Sequence, residues 1–268
     1  MLFAVSGLKG VQVDASDGSA GTVKDFLFDD ETWRIRWVVV DTGTWLPGRK
    51  VLIHPSAFAP LDVAPPSGSG LPMMSTRRFE LSVRLTKKQI EASPDLGEDD
   101  PVSKQLESRV YAHYGWDPVW GRAYFQAKPT APPQSPRPSS AASAAPEFAN
   151  RQMRPGEDNP HLRSSSLVSG YHIHASDGDI GHLDNFLPDD VNWDIRYLVI
   201  ATSDWWPGKR VLLAPYAIQE IDAPEHLVRL NVSRDQVKSS PPWDPVAMID
   251  RIGEQRLHSH YGWRGYGW

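Results

Sequence analysis

The sequence contains no cysteine among its 268 residues. That absence excludes disulfides, thiolate zinc sites, iron–sulfur clusters and cysteine nucleophiles together. Long apolar runs are missing as well, and nothing approaches the roughly 18–20 residues a membrane-spanning helix needs. The opening MLFAVSGLKG has neither a basic n-region nor a long apolar h-region, so no signal peptide is expected. A cytoplasmic location follows as the expectation, with at most peripheral attachment at the cytoplasmic face of a membrane. Charge of one sign is also lacking. With 28 Lys and Arg against 33 Asp and Glu, the net charge is −5. Such a balance offers nucleic acid or an anionic surface no general attraction, and no nucleic-acid partner is expected.

Catalytic signatures are absent too. There is no Gly-x-x-x-x-Gly-Lys-Ser/Thr, no Gly-x-Gly-x-x-Gly, no His-Glu-x-x-His and no Gly-x-Ser-x-Gly. The paired aspartates fall in turn sequences, where Asp is ordinary because its side chain bonds the local backbone. No enzyme, no catalytic residue and no cofactor are expected.

What the chain does have is repetition, together with 24 Pro and 11 Trp. Ala15–Pro55 aligns with Ala175–Pro215 at a shift of 160, without a gap and with 20 of 41 positions identical. Farther on, Gln89, Ser93-Pro94 and His113-Tyr114-Gly115-Trp116 match Gln236, Ser240-Pro241 and His260-Tyr261-Gly262-Trp263 at a shift of 147. The chain therefore reads as a tandem duplication. Between the copies, 16 of the 22 residues Gln126–Glu147 are Pro, Ala or Ser. That composition predicts a disordered, partly polyproline-II linker. The expected domains are 1–125 and 161–268, joined by 126–160, and neither domain is basic.

Each copy reads as mainly β. Short apolar runs are bounded by turns, and Asp17-Gly18 and Asp177-Gly178 are hairpin signals. In Trp33–Val40, alternation predicts Ile35, Trp37 and Val39 on one face with Arg34 and Arg36 on the other. About six strands at this spacing imply a small barrel or sandwich. Short helical segments follow, at Thr86–Ala92 and after Asp100-Pro101 and Asp244-Pro245, each an N-cap followed by Pro. Val102, Leu106, Val110 and Tyr114 give the first long helix an apolar stripe. Gly253 weakens the same expectation for the second.

The leading Gly-x-x-Val/Ile with its Asp-Gly turn, the Gly21-x-Val23 strand ending in Asp29-Asp30, and Trp33-x-Ile35-Arg36-Trp37-Val38-Val39-Val40-Asp41-Thr42 together resemble the PRC-barrel family. That family is named for the cytoplasmic domain of the photosynthetic reaction-centre H subunit. Tandem bacterial members with Trp-(Leu/Trp)-Pro-Gly-(Arg/Lys) and a terminal His-Tyr-Gly look very like this chain. The resemblance implies two PRC-type β-barrels acting as a non-catalytic adaptor for a protein partner. It also leaves open self-association or barrel–barrel pairing, an accessory role in photosynthetic electron transfer, and a role in ribosome assembly.

Several residues invite a functional reading. Trp45, Trp205 and Trp206 beside Pro-Gly turns, with Arg49 and Arg210, have the make-up of a contact hot spot, although aromatic residues also plug barrel ends. Tyr266 and Trp268 near the C-terminal end are expected to be exposed contacts. Gly18, Gly21, Gly178 and Gly181 read as structural, as do the pairs Asp29 with Arg36 and Asp189 with Arg196. His172 and His174 share a strand face, but with no third ligand in view no metal is expected. His113 with Tyr111, and His258 with His260, read chiefly as packing around the Tyr-Gly-Trp elements.

Overall fold

The computed structural model describes residues 1–63, 79–97, 102–116, 159–202, 209–241, 243 and 249–266. The N-terminal half runs α1 (Val5–Leu8), β1 (Gln12–Ala15), β2 (Gly18–Asp29), β3 (Arg34–Asp41), β4 (Lys50–Ile53), β5 (Asp62–Val63), β6 (Phe79–Ser82), α2 (Lys87–Glu91) and α3 (Lys104–Tyr114). The C-terminal half follows with β7 (Leu162–Ser164), α4 (Ser165–Val168), β8 (His172–Ala175), β9 (Gly178–Pro188), β10 (Ile195–Thr202), β11 (Arg210–Leu213), β12 (Ile218–Asp222), β13 (Leu227–Leu230), α5 (Arg234–Lys238) and α6 (Arg251–Tyr261). The chain is thus mainly β, with two like six-stranded sheets. Their orders are β4-β3-β2-β1-β6-β5 and β11-β10-β9-β8-β13-β12. Among the described residues neither sheet closes edge to edge.

The Asp-Gly turns start each curved sheet. Gly21 has φ +135°, and a Cβ there would lie 2.1 Å from the Asp41 carbonyl oxygen. Only a residue without a side chain lets β2 pass this close to β3. Gly21→Ala is therefore expected to cost at least about 2 kcal/mol. Urea denaturation measures this, and an alanine variant as stable as the parent would contradict it.

Both faces of β3 are covered, but not by simple alternation. The β2–β3 register shifts between Leu27 and Phe28, which pair with Trp37 and Ile35. This bulge carries Arg36 as its extra residue and reverses the faces beyond it. Ile35 joins the inner core with Val38 and Val40, whereas Trp37 and Val39 pack outward with Leu27, Leu52 and Val110 of α3. The expected common face of Ile35, Trp37 and Val39 is corrected accordingly.

The helices are fixed by their ends. Thr86 with Gln89, and Ser233 with Gln236, form capping boxes. The long helices are capped by Ser103 and Asp250, not by the expected Asp100 and Asp244, which lie outside the described residues. Asp250 accepts from the Gly253 N–H at 2.7 Å. A Cβ at Gly253 would sit 3.2 Å from that same carboxylate oxygen, so the glycine accommodates the cap rather than ending the helix. Gly115 and Gly262 close α3 and α6 in the left-handed conformation. Trp116 and Trp263 then donate back to Tyr111 and His258 at 3.0 and 2.9 Å.

The halves are not separate globules. Strand β7, assigned from the sequence to the second domain, pairs with β2 of the first sheet. Reciprocally, Leu2 bridges Asp189 at the end of β9. One apolar core runs through both halves. Within it Phe28 meets Phe186 at 5.1 Å, and Trp193 lies 5.3 Å from Phe3 and 5.6 Å from Phe58.

Candidate docking surface

On the outer face of each sheet a long helix is held by a carboxylate. In the N-terminal half Glu107, buried on α3, accepts from the Trp37 indole N–H at 2.6 Å and from the Asn159 amide at 3.0 Å. Its Oε1 lies 3.1 Å from the Arg36 guanidinium, which also reaches Asp29 at 3.3 Å. Asn159 leads directly into β7, so one buried carboxylate ties helix, sheet and the incoming arm. Beside it the His54 ring packs among Trp37, Tyr111 and Trp116, at 5.7, 6.2 and 5.8 Å. The Ser56 N–H donates to His54 Nδ1 at 3.2 Å. Burial, and secondarily the charge of Arg36, hold this imidazole down at about 4.

The C-terminal half repeats the plan with different groups. Glu254 on α6 takes the place of Glu107 and lies 3.0 Å from the Tyr197 hydroxyl. That hydroxyl is also 2.9 Å from His258 Nε2, while His258 Nδ1 donates to the Arg264 carbonyl at 2.7 Å. Burial lowers the His258 pKa, and burial with Glu254 raises that of Tyr197. Arg196 pairs with Asp189 at 3.0 Å, and its guanidinium lies over the Tyr266 ring at 4.2 Å.

Above this layer lies an aromatic surface. Tyr216, 47% exposed, stacks on Tyr266 at 5.8 Å and packs near Trp263 at 6.4 Å. Tyr266 also donates its hydroxyl to the Arg196 carbonyl at 2.8 Å. The aligned residue of Tyr216 in the first half is Ser56, so this surface belongs to one half alone. Two rings, a tryptophan and an arginine form the composition that dominates protein–protein hot spots.

The remaining sequence-predicted residues are dispersed. Trp45 packs against the core, donates to the Ala20 carbonyl at 3.1 Å and carries the Lys87 ammonium 4.5 Å above its ring. It closes the end of the sheet rather than standing free. Arg49 donates to the backbone carbonyls of Glu91, at 2.6 Å, and Ser93, fastening the end of α2. Arg210 pairs with Asp184 at 2.7 Å. Tyr266 is half-buried, which corrects the expectation of an exposed ring; Trp205, Trp206 and Trp268 lie outside the described residues.

His174 bonds Asp179 at 2.8 Å, and His172 faces His182 across the strand pair. Among the described residues no group of three His, Asp or Glu could hold a metal. His113 and His260 bond the carbonyls of Gln89 and Gln236, each at 2.8 Å, and so join each long helix to its short neighbour. Among the described residues no helix is long and apolar enough to cross a membrane.

Neither Tyr216 nor the outward packing of Trp37 follows from the alternation of apolar and polar residues. Tyr216 was signalled by a departure from the repeat, at Ser56 against Tyr216. The orientation of Trp37 depends on the bulge, which no alternation pattern announces.

This is a mainly β architecture of two sheets with like strand order, one of which carries an aromatic face. Residues 2–60, from the segment before α1 to just past β4 and its following turn, match the PRC-barrel domain family. No curated protein matches the chain.

Proposed function

We propose that the chain is a non-catalytic tandem PRC-barrel module that docks on a protein partner through the Tyr216–Trp263–Tyr266 face. The PRC-barrel match over residues 2–60 favours a binding module over an enzyme. The sequence identity between the halves and their common strand order support a duplicated barrel. The observation that carries the docking face is the exposed Tyr216 ring stacked on Tyr266 above Arg196. Such a ring is held rigidly at its base while its outer side stays open, so little side-chain entropy is lost when a partner covers it.

Tyr216→Glu tests this reading. Because the ring is outside the core, the variant should melt within a few degrees of the parent. Capture of the partner from native lysate should fall at least tenfold, as expected for a hot-spot aromatic residue. Equal recovery of the same protein by parent and variant would refute the assignment.

A further inference from the structure

The contacts between the halves obey an approximate twofold rule. Ile35 donates its N–H to the Trp193 carbonyl at 2.9 Å, and Ile195 donates to the Trp33 carbonyl at 2.7 Å. Residues 33 and 193, and 35 and 195, are aligned positions 160 apart. Trp33 and Trp193 both adopt left-handed backbone, with φ of 56° and 59°, and both aim their carbonyls across the junction. Arg34 pairs with Asp194, its own aligned position.

The arms are exchanged in the same sense. Asp25 on β2 accepts from the hydroxyls of Ser164, Ser165 and Ser166 and from the Ser166 N–H, the last at 3.1 Å. Its aligned residue, Asn185 on β9, bonds Ser6 through both its amide oxygen and nitrogen. The arm preceding each sheet therefore crosses to the other sheet. None of these contacts uses a residue of the connection 117–158.

We infer that the junction is a self-recognition surface whose fitting partner is a second copy of this chain. Opened at the junction, two chains can re-form every contact above by pairing the N-terminal half of one with the C-terminal half of the other. Only the path of residues 117–158 would differ. The closed single chain then prevails because that connection is long, not because the faces require it.

Distances support this. Asn159 bonds the Val102 carbonyl, just before α3, whose eleven residues advance about 1.5 Å each. Trp116 and Asn159 are thus on the order of 20 Å apart. A random chain of this connection's length spans about 35 Å, taking 5–6 Å times the root of the residue number. Effective concentrations in the millimolar range then favour closure. Two residues in place of 117–158 would reach only about 10 Å, from 3.3–3.6 Å per residue, too short for closure with α3 intact.

Two experiments decide the matter, and neither depends on the Tyr216 face. Replacing 117–158 by Gly-Gly should give a folded species of twice the chain mass by light scattering. A folded monomer would overturn the inference. In the full-length protein, a specific protease site placed within 126–147 and cut after folding should leave both fragments eluting together and melting in one transition. Fragments that separate on the column would overturn it even if the shortened chain failed to fold. In the cut protein Arg34→Asp, which sets two carboxylates together at the junction, should weaken fragment association at least tenfold. Adding Asp194→Arg should restore it; no weakening, or no restoration, would count against these faces as the recognition element.

Discussion

Glu107→Ala is expected to destabilise the protein by about 3 kcal/mol, among the largest effects of any single polar substitution here. The carboxylate is 4% exposed and serves the Trp37 indole, the Asn159 amide and the Arg36 guanidinium together. Truncation leaves the buried Trp37 indole N–H and the part-buried Asn159 amide without this acceptor and removes one of the charges facing Arg36. The side chain also fixes α3 over Trp37, so packing is lost with the hydrogen bonds. Glu107→Gln keeps an acceptor for the indole and should cost clearly less. Equilibrium denaturation of the two variants separates these contributions. An alanine variant within about 1 kcal/mol of the parent would contradict the role given to this carboxylate. Glu254→Ala should be milder, because Glu254 is only half-buried and Tyr197 can still bond His258.

Acid should weaken the protein through His54. Its pKa falls from the ordinary 6.5 to about 4 in the folded state, so folding favours the neutral ring. The Ser56 N–H needs an unprotonated Nδ1, and Trp37, Tyr111 and Trp116 offer the charged ring no replacement for water. Above pH 6.5 both folded and unfolded chains hold His54 neutral and it contributes no pH dependence. As pH drops from 6.5 to 4 the unfolded chain takes up the proton and the folded one resists. Stability is lost across that window, by as much as about 3 kcal/mol. Carboxylates titrate in the lower part of the same range, so the informative quantity is the parent's pH profile minus that of His54→Gln. A difference profile that is flat between pH 6.5 and 4 would contradict the burial of a neutral imidazole. Ala214 occupies the aligned position in the second half; His258 there, whose pKa burial also lowers, adds slope of the same sign that cancels in this difference.

Much of the sheet architecture could be read from the chain because its signals are local. Asp17-Gly18 and Asp177-Gly178 mark the hairpins, and Val38-Val39-Val40 marks a strand covered on both faces. The Tyr-Gly-Trp segments mark helix ends, since only glycine adopts the left-handed C-cap at little cost. The orientation of Trp37 could not be read, because one bulge residue reverses the alternation after Ile35. Nor could the exchanged arms. Residues 1–8 and 161–168 are short and carry no periodicity, and their partners Asp25 and Asn185 lie more than a hundred residues away along the chain. The docking face was half legible. Tyr266 drew attention as an aromatic near the C-terminal end, but its base is fixed by Arg196, Tyr197 and His258, which only the fold brings together. Tyr216 stands out once the halves are compared position by position, since Ser56 of the first half is matched by a large, exposed ring.

That ring also gives the most direct test of the proposed docking role. A photoreactive phenylalanine analogue placed at 216 in the living source cell should cross-link one discrete protein, whereas the same analogue at the inward-packed Trp45 should not. Cross-linking at position 45 but not at 216, or no adduct at 216 in a folded protein, would contradict a partner-binding face built on Tyr216, Trp263 and Tyr266.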